Sequence, residues 1–288
     1  MLLRWISALI GIPLFLGACL WGAMPFAAGA VMLAGIGLWE IQRTFRAQGV
    51  RPNLLMGLLG LGSPGIGLFA SPWELFHDYP LQQAAFVWVV GGLFAAMLWE
   101  VIAAIRTGEM RVGQNLGYGL LCGVYIALFG GMVWLRYLPG AVEAGPFPKM
   151  EMGAAVVLLF AFCVWATDSG SLFSGKAWGR RKLVPALSPQ KTVEGAVGGL
   201  ACGLLAGAGT GLLLFGSPWG GLLAGGVAGI VAPMGDLFES ALKREAGVKD
   251  FGSLIPGHGG ALDRFDSLMV VTSFATLLLV CFFRPPVH

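Results

Sequence analysis

The amino-acid sequence predicts an all-α polytopic membrane protein with about nine transmembrane helices and a cytoplasmic N-terminus. Hydrophobic residues make up 57% of the 288 residues and charged residues only 11%, and the mean hydropathy is +0.79. Long, nearly charge-free runs recur at lengths near the roughly 20 residues that a helix needs to cross a bilayer. Because backbone groups in lipid must bond internally, and the runs lack the alternating pattern of a barrel, these runs are expected to be helices.

Nine apolar runs are interpreted as the spans. Hydrophobicity continues past Cys19 from the first run into the second, so a retained first helix is expected rather than a cleaved signal. Two spans end alike, at Trp39-Glu40 and Trp99-Glu100, which favours interfacial tryptophans with carboxylates that reach water. In chain order the spans are approximately 5–23, 25–41, 54–71, 83–104, 115–135, 153–168, 194–215, 217–235 and 263–283.

The distribution of positive charge orients these spans. With a cytoplasmic N-terminus, only Arg136, Lys149 and Arg284 of the 18 lysines and arginines fall outside. Cytoplasmic loops retain positive charge, so this split supports the orientation and an odd number of spans. The net charge of +3 therefore follows from topology and requires no nucleic-acid partner.

Glycines recur at every fourth position through the seventh and eighth spans. They are residues 195, 199, 203, 207 and 211 in the seventh span and 221, 225 and 229 in the eighth. A four-residue spacing keeps glycines on one ridge of a helix, which lets two helix backbones approach closely in lipid. Tight helix packing along these ridges is therefore expected, either within one chain or across a dimer, and it would hold polar groups at the helix ends rigidly.

The first of three polar segments, residues 168–195, follows the sixth span. It begins with Asp168, a carboxylate that is costly beside an apolar run and so suggests a function. It carries five positive charges within 16 residues, of which Arg180, Arg181 and Lys182 fit a phosphate site and an ordinary loop attracted to anionic lipid equally well. Ser188, Lys191 and Thr192 lie just before a predicted helix N-terminus, which is a natural seat for phosphate.

The second polar segment, residues 236–249, has helical periodicity. Its polar residues recur at i, i+3, i+4, i+7 and i+8, a spacing that also fits an amphipathic helix lying on a membrane surface. Asp236 emerges directly from the eighth span, at membrane level, and is a candidate magnesium ligand. The residues on the polar face are Asp236, Glu239, Ser240, Lys243 and Arg244.

The third polar segment, residues 257–266, places glycines around His258 before a helix that begins near Asp263. Asp263 and Asp266 share one face of that helix. Magnesium prefers few carboxylates, several waters and phosphate oxygens, so Asp236 with Asp263 would suit it. His258 is expected to position or contact phosphate rather than bind metal. A nucleotide held by lysines without magnesium is the alternative.

Together these segments resemble the signature of the phosphatidate cytidylyltransferases, the CDP-diacylglycerol synthases. The likeness is specific over residues 168–266 and general in the first five spans. Ser171-Leu172 stands where that family usually has Ala-Tyr, and Ala261 replaces a larger aliphatic residue, but neither departure removes a charge. The matching positions are Ser240-x-Leu242-Lys243-Arg244, Lys249-Asp250, His258-Gly259-Gly260-x-x-Asp263-Arg264-Phe265-Asp266, Asp168-Ser-Gly, Gly175-Lys176-x-x-Gly179 and Ser188-Pro189-x-Lys191-Thr192-x-Glu194-Gly195.

The resemblance implies transfer of the cytidylyl group of CTP to phosphatidic acid, giving CDP-diacylglycerol and pyrophosphate. It implies two regions, residues 1–150 with about five spans and a catalytic region 151–288 with about four. Asp236 and Asp263 would bind Mg²⁺, assisted by Asp168, Asp250 or Asp266. The implied catalytic and phosphate-neutralising residues are Lys191, Lys243, Arg244, Lys249 and Arg264, and those that bind or orient substrate are Lys176, Ser188, Thr192, Asp250, His258, Gly259 and Gly260.

We expect a multi-pass protein of a bacterial inner membrane, with a cytoplasmic site that receives phosphatidic acid from the inner leaflet. A homodimer is possible. One alternative is a related CTP-dependent enzyme acting on an isoprenoid lipid, of the CDP-archaeol synthase or polyprenol kinase type. Another is a transporter, which predicts charges at the bilayer midplane and paired broken helices. Here the acids cluster at one face, which disfavours transport.

Overall fold

Helices dominate the computed structural model, which describes residues 2–76, 79–108, 111–142, 149–252 and 259–282. An antiparallel hairpin of β1 (Lys182–Val184) and β2 (Ser188–Thr192) joins two of the long helices. Short 3-10 turns cover Ile66–Leu68 and Pro72–Phe76. The α-helices are α1 (Leu2–Trp21), α2 (Ala23–Ala47), α3 (Leu54–Gly60), α4 (Gly62–Gly65), α5 (Tyr79–Thr107), α6 (Val112–Ala127), α7 (Phe129–Arg136), α8 (Met152–Trp178), α9 (Val193–Phe215), α10 (Pro218–Glu245) and α11 (Leu262–Phe282).

Seven helices in the described part of the chain are long and apolar enough to cross a membrane, which confirms the predicted class. One of the seven is the stretch Val112–Arg136, made of α6 followed by α7. The first and third predicted spans correspond to shorter apolar helices, Leu9–Trp21 and Leu54–Leu68. The count of nine spans and the side of the N-terminus stay predictions.

The third predicted span is divided into short helical pieces instead of one continuous helix. Gly60, Gly62 and Gly65 lie in this stretch, and glycine weakens a helix because it gives up the most backbone freedom. Close packing also requires Gly60, since an added Cβ there would lie 2.8 Å from the carbonyl carbon of Gly123. The division therefore follows from glycines that permit contact with α6.

Helices α8 and α10 continue well beyond the predicted ends of their spans. Helix α8 extends past Asp168 to Trp178, and α10 extends past Asp236 to Glu245. The polar segments that follow spans six and eight thus begin on rigid helices rather than in loops. Pro233 lies inside α10 without ending it, because neighbouring helices in a membrane can satisfy the freed backbone groups.

The glycine ridges pack closely within the chain: Gly203, Gly207 and Gly211 of α9 meet the ridge of α10, whereas Gly195 and Gly199 meet α8. All eight glycines of the two ridges are buried. An added Cβ at Gly211 would lie 2.9 Å from the Cα of Gly221, and one at Gly225 would lie 2.8 Å from the carbonyl carbon of Gly203. Because the nearest atoms belong to backbone, neither position has room for a side chain.

We expect Gly225→Leu to destabilise the protein by about 3 kcal/mol or more, because the new side chain must push two helix backbones apart. Gly209→Leu is the matched control, since an added Cβ at Gly209 meets no atom within 4 Å. Thermal unfolding in detergent measures the difference. Equal melting temperatures for the two variants would contradict the close packing of α9 on α10.

Candidate active site

Three carboxylates from α10 and α11 meet at one end of the helix bundle. Asp236, Glu239 and Asp266 each offer one oxygen, and these oxygens lie within 4.8 Å of one another. We call these three residues the acidic cluster. Asp236 and Glu239 share a face of α10 because they are three residues apart, and α11 packs beside α10 and supplies Asp266.

Two lysines balance part of the charge of the acidic cluster. Lys191, from β2, contacts Asp236 at 2.7 Å. Lys243, two turns along α10 from Asp236, contacts Glu239 at 2.5 Å and Asp263 at 3.0 Å. The predicted polar face of residues 236–244 is therefore confirmed for Asp236, Glu239 and Lys243, which contact partners inside the site, whereas Arg244 is exposed.

Asp263 lies beside the acidic cluster and bonds to the protein on both oxygens. Besides Lys243, its carboxylate accepts hydrogen bonds from the backbone N–H groups of Gly260, at 2.7 Å, and Phe251, at 3.2 Å. The Asp263 side chain is only 2% exposed. Its role as a metal ligand stays a prediction, and the described contacts favour a role in fixing the loop before α11.

Asp168 of α8 lies within electrostatic range of the acidic cluster. Asp266, Asp236, Lys191 and Arg264 are the charged groups that act on it. Helix α8 approaches α9 closely through Gly170 and Gly175, which brings this carboxylate toward the site. The structure thus places Asp168 and Asp266 near Asp236, as predicted.

The hairpin carries Lys191 to the acidic cluster and leads directly into α9. Thr192 caps this helix, because its hydroxyl oxygen accepts a hydrogen bond from Gly195 N at 3.1 Å. Glu194 accepts hydrogen bonds from the backbone N–H groups of Arg180 and Arg181, which fixes the start of the hairpin. The predicted helix N-terminus at residues 192–193 is confirmed.

The remaining predicted residues surround this centre without contacting the acidic cluster directly in the described structure. Ser188 is half-buried at the start of β2. Gly259 has a φ of +88°, a conformation that favours glycine, and Gly260 is buried. His258 lies outside the described residues. The exposed charged members are Lys176, Arg244, Lys249, Asp250 and Arg264.

Glu40 was missed as a site residue, and the expectation that it reaches water is wrong. Its side chain is fully buried, and its oxygens accept hydrogen bonds from Ala261 N and Leu262 N, both at 3.1 Å. Glu40 therefore caps α11, the helix that carries Asp263 and Asp266. The only sequence signal was a glutamate that ends an apolar run without a partner nearby in the chain.

Glu100 is likewise buried rather than directed to water. It is 4% exposed and accepts hydrogen bonds from the side-chain amides of Asn53, at 2.6 Å, and Asn115, at 2.9 Å. The tryptophans differ from the glutamates in this respect. Trp39 and Trp99 were expected at the membrane interface, and both are exposed on the outside of the bundle. Each Trp-Glu pair thus has an outward tryptophan and an inward carboxylate that bonds within the protein.

Glu239 was also missed as a potential ligand. The sequence placed it on the polar face of residues 236–244, but gave it no role. Its side chain is 1% exposed, and one of its oxygens, Oε1, is buried without a hydrogen-bond partner among the described residues. A buried carboxylate oxygen without a donor is costly, so a bound cation there would satisfy it.

We expect Lys243→Met to destabilise the protein by about 3 kcal/mol, because it leaves the buried Glu239 and Asp263 carboxylates without their cation. Lys249→Met removes an exposed lysine nearby and should change stability by less than about 0.5 kcal/mol. Urea unfolding in detergent compares the two. A small effect of Lys243→Met would indicate that these carboxylates need no partner.

The residues present fit a divalent cation. Carboxylate oxygens at this spacing are hard ligands of the kind that Mg²⁺ and Ca²⁺ prefer, and the donor-free Oε1 of Glu239 is one of the groups available. Carboxylates outnumber the cationic side chains around the site, so a cation would reduce the repulsion among them. These groups are Asp168, Asp236, Glu239, Asp263 and Asp266, with Lys191, Lys243 and Arg264.

The fold and the site together define a polytopic helical membrane protein with a centre of carboxylates and lysines at one end of its helix bundle. The chain belongs to the cytidylyltransferase family, which it matches over residues 2–282. It is 35% identical to a phosphatidate cytidylyltransferase of Synechocystis sp. over 301 aligned residues, which cover 96% of this chain and 97% of that protein.

Other relatives carry the same name. The phosphatidate cytidylyltransferase of Bacillus subtilis is 30% identical over 282 residues, covering 97% of both chains. That of Staphylococcus haemolyticus is 44% identical over 129 residues, which cover 43% of this chain and 48% of that protein. The family that the sequence motifs indicated is thereby confirmed.

Proposed function

We propose that this protein is a phosphatidate cytidylyltransferase, which joins CTP and phosphatidic acid to give CDP-diacylglycerol and pyrophosphate. The observation that carries the proposal is the acidic cluster with its two lysines, at one end of the bundle in a chain of this family. The main obstacle in this reaction is to bring two polyanions together, and such a centre can bind both of them.

The reaction needs no protein nucleophile. A phosphate oxygen of phosphatidic acid attacks the α-phosphorus of CTP, and a new P–O bond forms there. The bond from the α-phosphorus to the oxygen that bridges it to the β-phosphorus breaks, and that oxygen leaves with pyrophosphate. Catalysis is then positioning plus neutralisation of charge, as in other transfers at phosphorus.

The side chains divide into those that face substrate and those that hold the site. Arg264 is exposed beside the acidic cluster and Lys191 is partly exposed, so both suit contact with phosphate oxygens. Lys243 and Asp263 are nearly buried and bonded to each other, so they position α10 against α11. Ser188, at the start of β2, provides the hydroxyl that we propose to orient a phosphate.

Mg²⁺ is the cation that we assign to the site, held by Asp236, Glu239 and Asp266, with Asp168 nearby. When bound, it would neutralise the polyphosphate and polarise the bond that breaks. Mg²⁺ usually keeps several waters and takes substrate phosphate oxygens as ligands. With only three carboxylates as protein ligands, the cation would keep coordination positions for waters and for phosphate oxygens. Asp263 as a direct ligand remains the alternative assignment.

The site is proposed to face the cytoplasm of a bacterial cell, where CTP is available, with phosphatidic acid entering from the inner leaflet. The positive charges assigned to the cytoplasmic side support this orientation and a cytoplasmic N-terminus. The division into membrane regions 1–150 and 151–288 and a homodimeric state remain predictions. Membrane lipids would cover the exposed apolar helices, and no nucleic-acid partner is expected.

Pyrophosphate release by the purified protein in detergent tests this function. The protein is given dioleoyl phosphatidic acid, Mg²⁺ and, separately, CTP, dCTP, ATP or UTP. Release that requires the lipid, a cytidine nucleotide and a divalent cation is expected, and chelation with EDTA should abolish it. If folded protein releases pyrophosphate with none of these nucleotides, the proposal fails. A polyprenyl phosphate then becomes the first acceptor to try, followed by transport assays.

A further inference from the structure

A cavity opens at the same end of the bundle as the acidic cluster but is lined by none of the residues of that cluster. It has a volume of about 700 Å³ and lies between the α2–α3 connection, α5 and the start of α6. Helix α2 links the two places. Glu40 accepts hydrogen bonds from Ala261 N and Leu262 N, and Thr44 donates one to Phe251 O, next to the acidic cluster. Arg46, at the edge of the cavity, lies within a turn of Thr44 on the same helix.

Three arginines line this cavity, and the one acidic residue in its described lining, Glu100, is already bonded elsewhere. Arg46, Arg51 and Arg111 are all exposed into it. The oxygens of Glu100 accept hydrogen bonds from the amides of Asn53 and Asn115 instead of pairing with these arginines. The cavity therefore presents a net positive charge to whatever enters it. Arginine is well suited to phosphate because its planar guanidinium donates two parallel hydrogen bonds.

The wall of the cavity that faces α5 is apolar and continues into the surface of the bundle. Trp99 is 59% exposed and Leu54 is 47% exposed, and Ala103 and Ala104 follow along α5. Helix α5 is among the least covered of the apolar helices, because only 11% of its most apolar 18-residue stretch is buried in the protein. A ligand held by the arginines would thus have an apolar path along α5 into the hydrocarbon of the membrane.

We propose that this cavity binds one molecule of an anionic phospholipid, with its phosphate between Arg46, Arg51 and Arg111. One acyl chain lies against Trp99 and α5. Basic pockets between transmembrane helices are general sites for anionic lipid head groups. The site is separate from the acidic cluster, so the lipid bound here is not the lipid being converted.

The cavity has a direct connection to the helix that carries the acidic cluster. Asn115, in its lining, lies one turn before Tyr118 on α6, and the Tyr118 hydroxyl donates a hydrogen bond to Glu245 at 2.6 Å. Tyr118 also packs against Phe45, with ring centroids 4.8 Å apart and the ring planes tilted by 55°. A lipid that orders α6 would therefore act on the end of α10.

Native mass spectrometry of the purified protein counts the bound lipids. The probes are dioctanoyl phosphatidylglycerol, dioctanoyl phosphatidylcholine and inorganic phosphate, without CTP or divalent cations. Wild type is expected to hold one phosphatidylglycerol at least about tenfold more tightly than phosphatidylcholine. The double variant Arg46→Gln with Arg51→Gln should lose about tenfold or more of this affinity, because two charge-assisted contacts are removed. Arg106→Gln is the matched control, since it removes an exposed charge of α5 outside the lining.

Three results would overturn the proposal. One is a double variant that binds phosphatidylglycerol like wild type. Another is equal affinity for phosphatidylcholine and phosphatidylglycerol, which would mean that the site does not distinguish the net charge of the lipid head group. The third is occupancy by inorganic phosphate at the same affinity, which would make this a site for a free anion. If the double variant does not fold, Arg51→Gln alone serves. Because the assay measures binding without CTP, its outcome is independent of the proposed catalytic function.

Discussion

Asp266→Asn is expected to lower the rate of CDP-diacylglycerol formation by at least about a hundredfold, the usual cost of removing a preorganised charged group from an active site. Asp266 supplies the α11 carboxylate of the acidic cluster, and no ion pair to a lysine or arginine holds it in the described structure. Its charge is therefore available to a cation. The asparagine is isosteric, so the fold should be retained.

The titration of activity with Mg²⁺ separates a ligand from a residue that only holds the site together. Asp266→Asn should require a higher concentration of Mg²⁺ while its melting temperature stays near that of wild type. Asp263→Asn should lower the melting temperature, because the Asp263 carboxylate accepts two backbone N–H groups and Lys243. Its Mg²⁺ requirement should change little.

Glu245→Gln provides the control for loss of charge near the site. Glu245 is an exposed carboxylate at the end of α10, outside the acidic cluster. Glutamine keeps an oxygen that can accept the Tyr118 hydrogen bond, so the replacement should leave activity within about threefold of wild type. If Asp263→Asn instead raises the Mg²⁺ requirement and Asp266→Asn does not, Asp263 is the ligand, as the sequence motifs first suggested. The assignment of Asp266 and Glu239 would then be wrong.

Much of the fold could be predicted from the sequence because the bilayer imposes simple rules. Apolar length sets each span, and the helices α2, α5, α8, α9, α10 and α11 all appear where long apolar runs were found. The spacing of glycine by four residues likewise predicted close helix packing along α9 and α10, although not which helices meet. In these cases the signal is local and repeated along one helix, so no knowledge of distant contacts is required.

The arrangement of the site was harder to predict because it depends on contacts across the chain. Asp236 and Asp263 differ little in sequence context, since each lies at the end of an apolar run. Only the packing of Phe251 and Gly260 against Asp263 distinguishes a carboxylate bonded to backbone from one open to a cation. In the sequence Glu239 is one member of a polar helix face, and its burial could not be predicted because it depends on the packing of α11 against α10.

Glu40→Ala is expected to destabilise the protein by about 2 to 4 kcal/mol, because it leaves two buried N–H groups at the start of α11 without acceptors. Turnover should also fall by about a hundredfold at temperatures where the variant is fully folded. Displacing α11 by even about 1 Å misplaces Asp266, and errors of that size at reacting centres cost about this much. Steady-state kinetics below the melting transition measure the loss.

Glu100→Ala is the matched control, because it removes the same side chain from the same Trp-Glu context at a similar burial. Glu100 bonds to Asn53 and Asn115, away from α11, so its loss should lower stability without a comparable loss in kcat. A general weakening of the fold would reduce activity equally in both variants. A selective fall in kcat for Glu40→Ala, with a raised Mg²⁺ requirement, would instead identify Glu40 as a positioning residue. An equal fall in both would remove that role and leave Glu40 as part of the packed core.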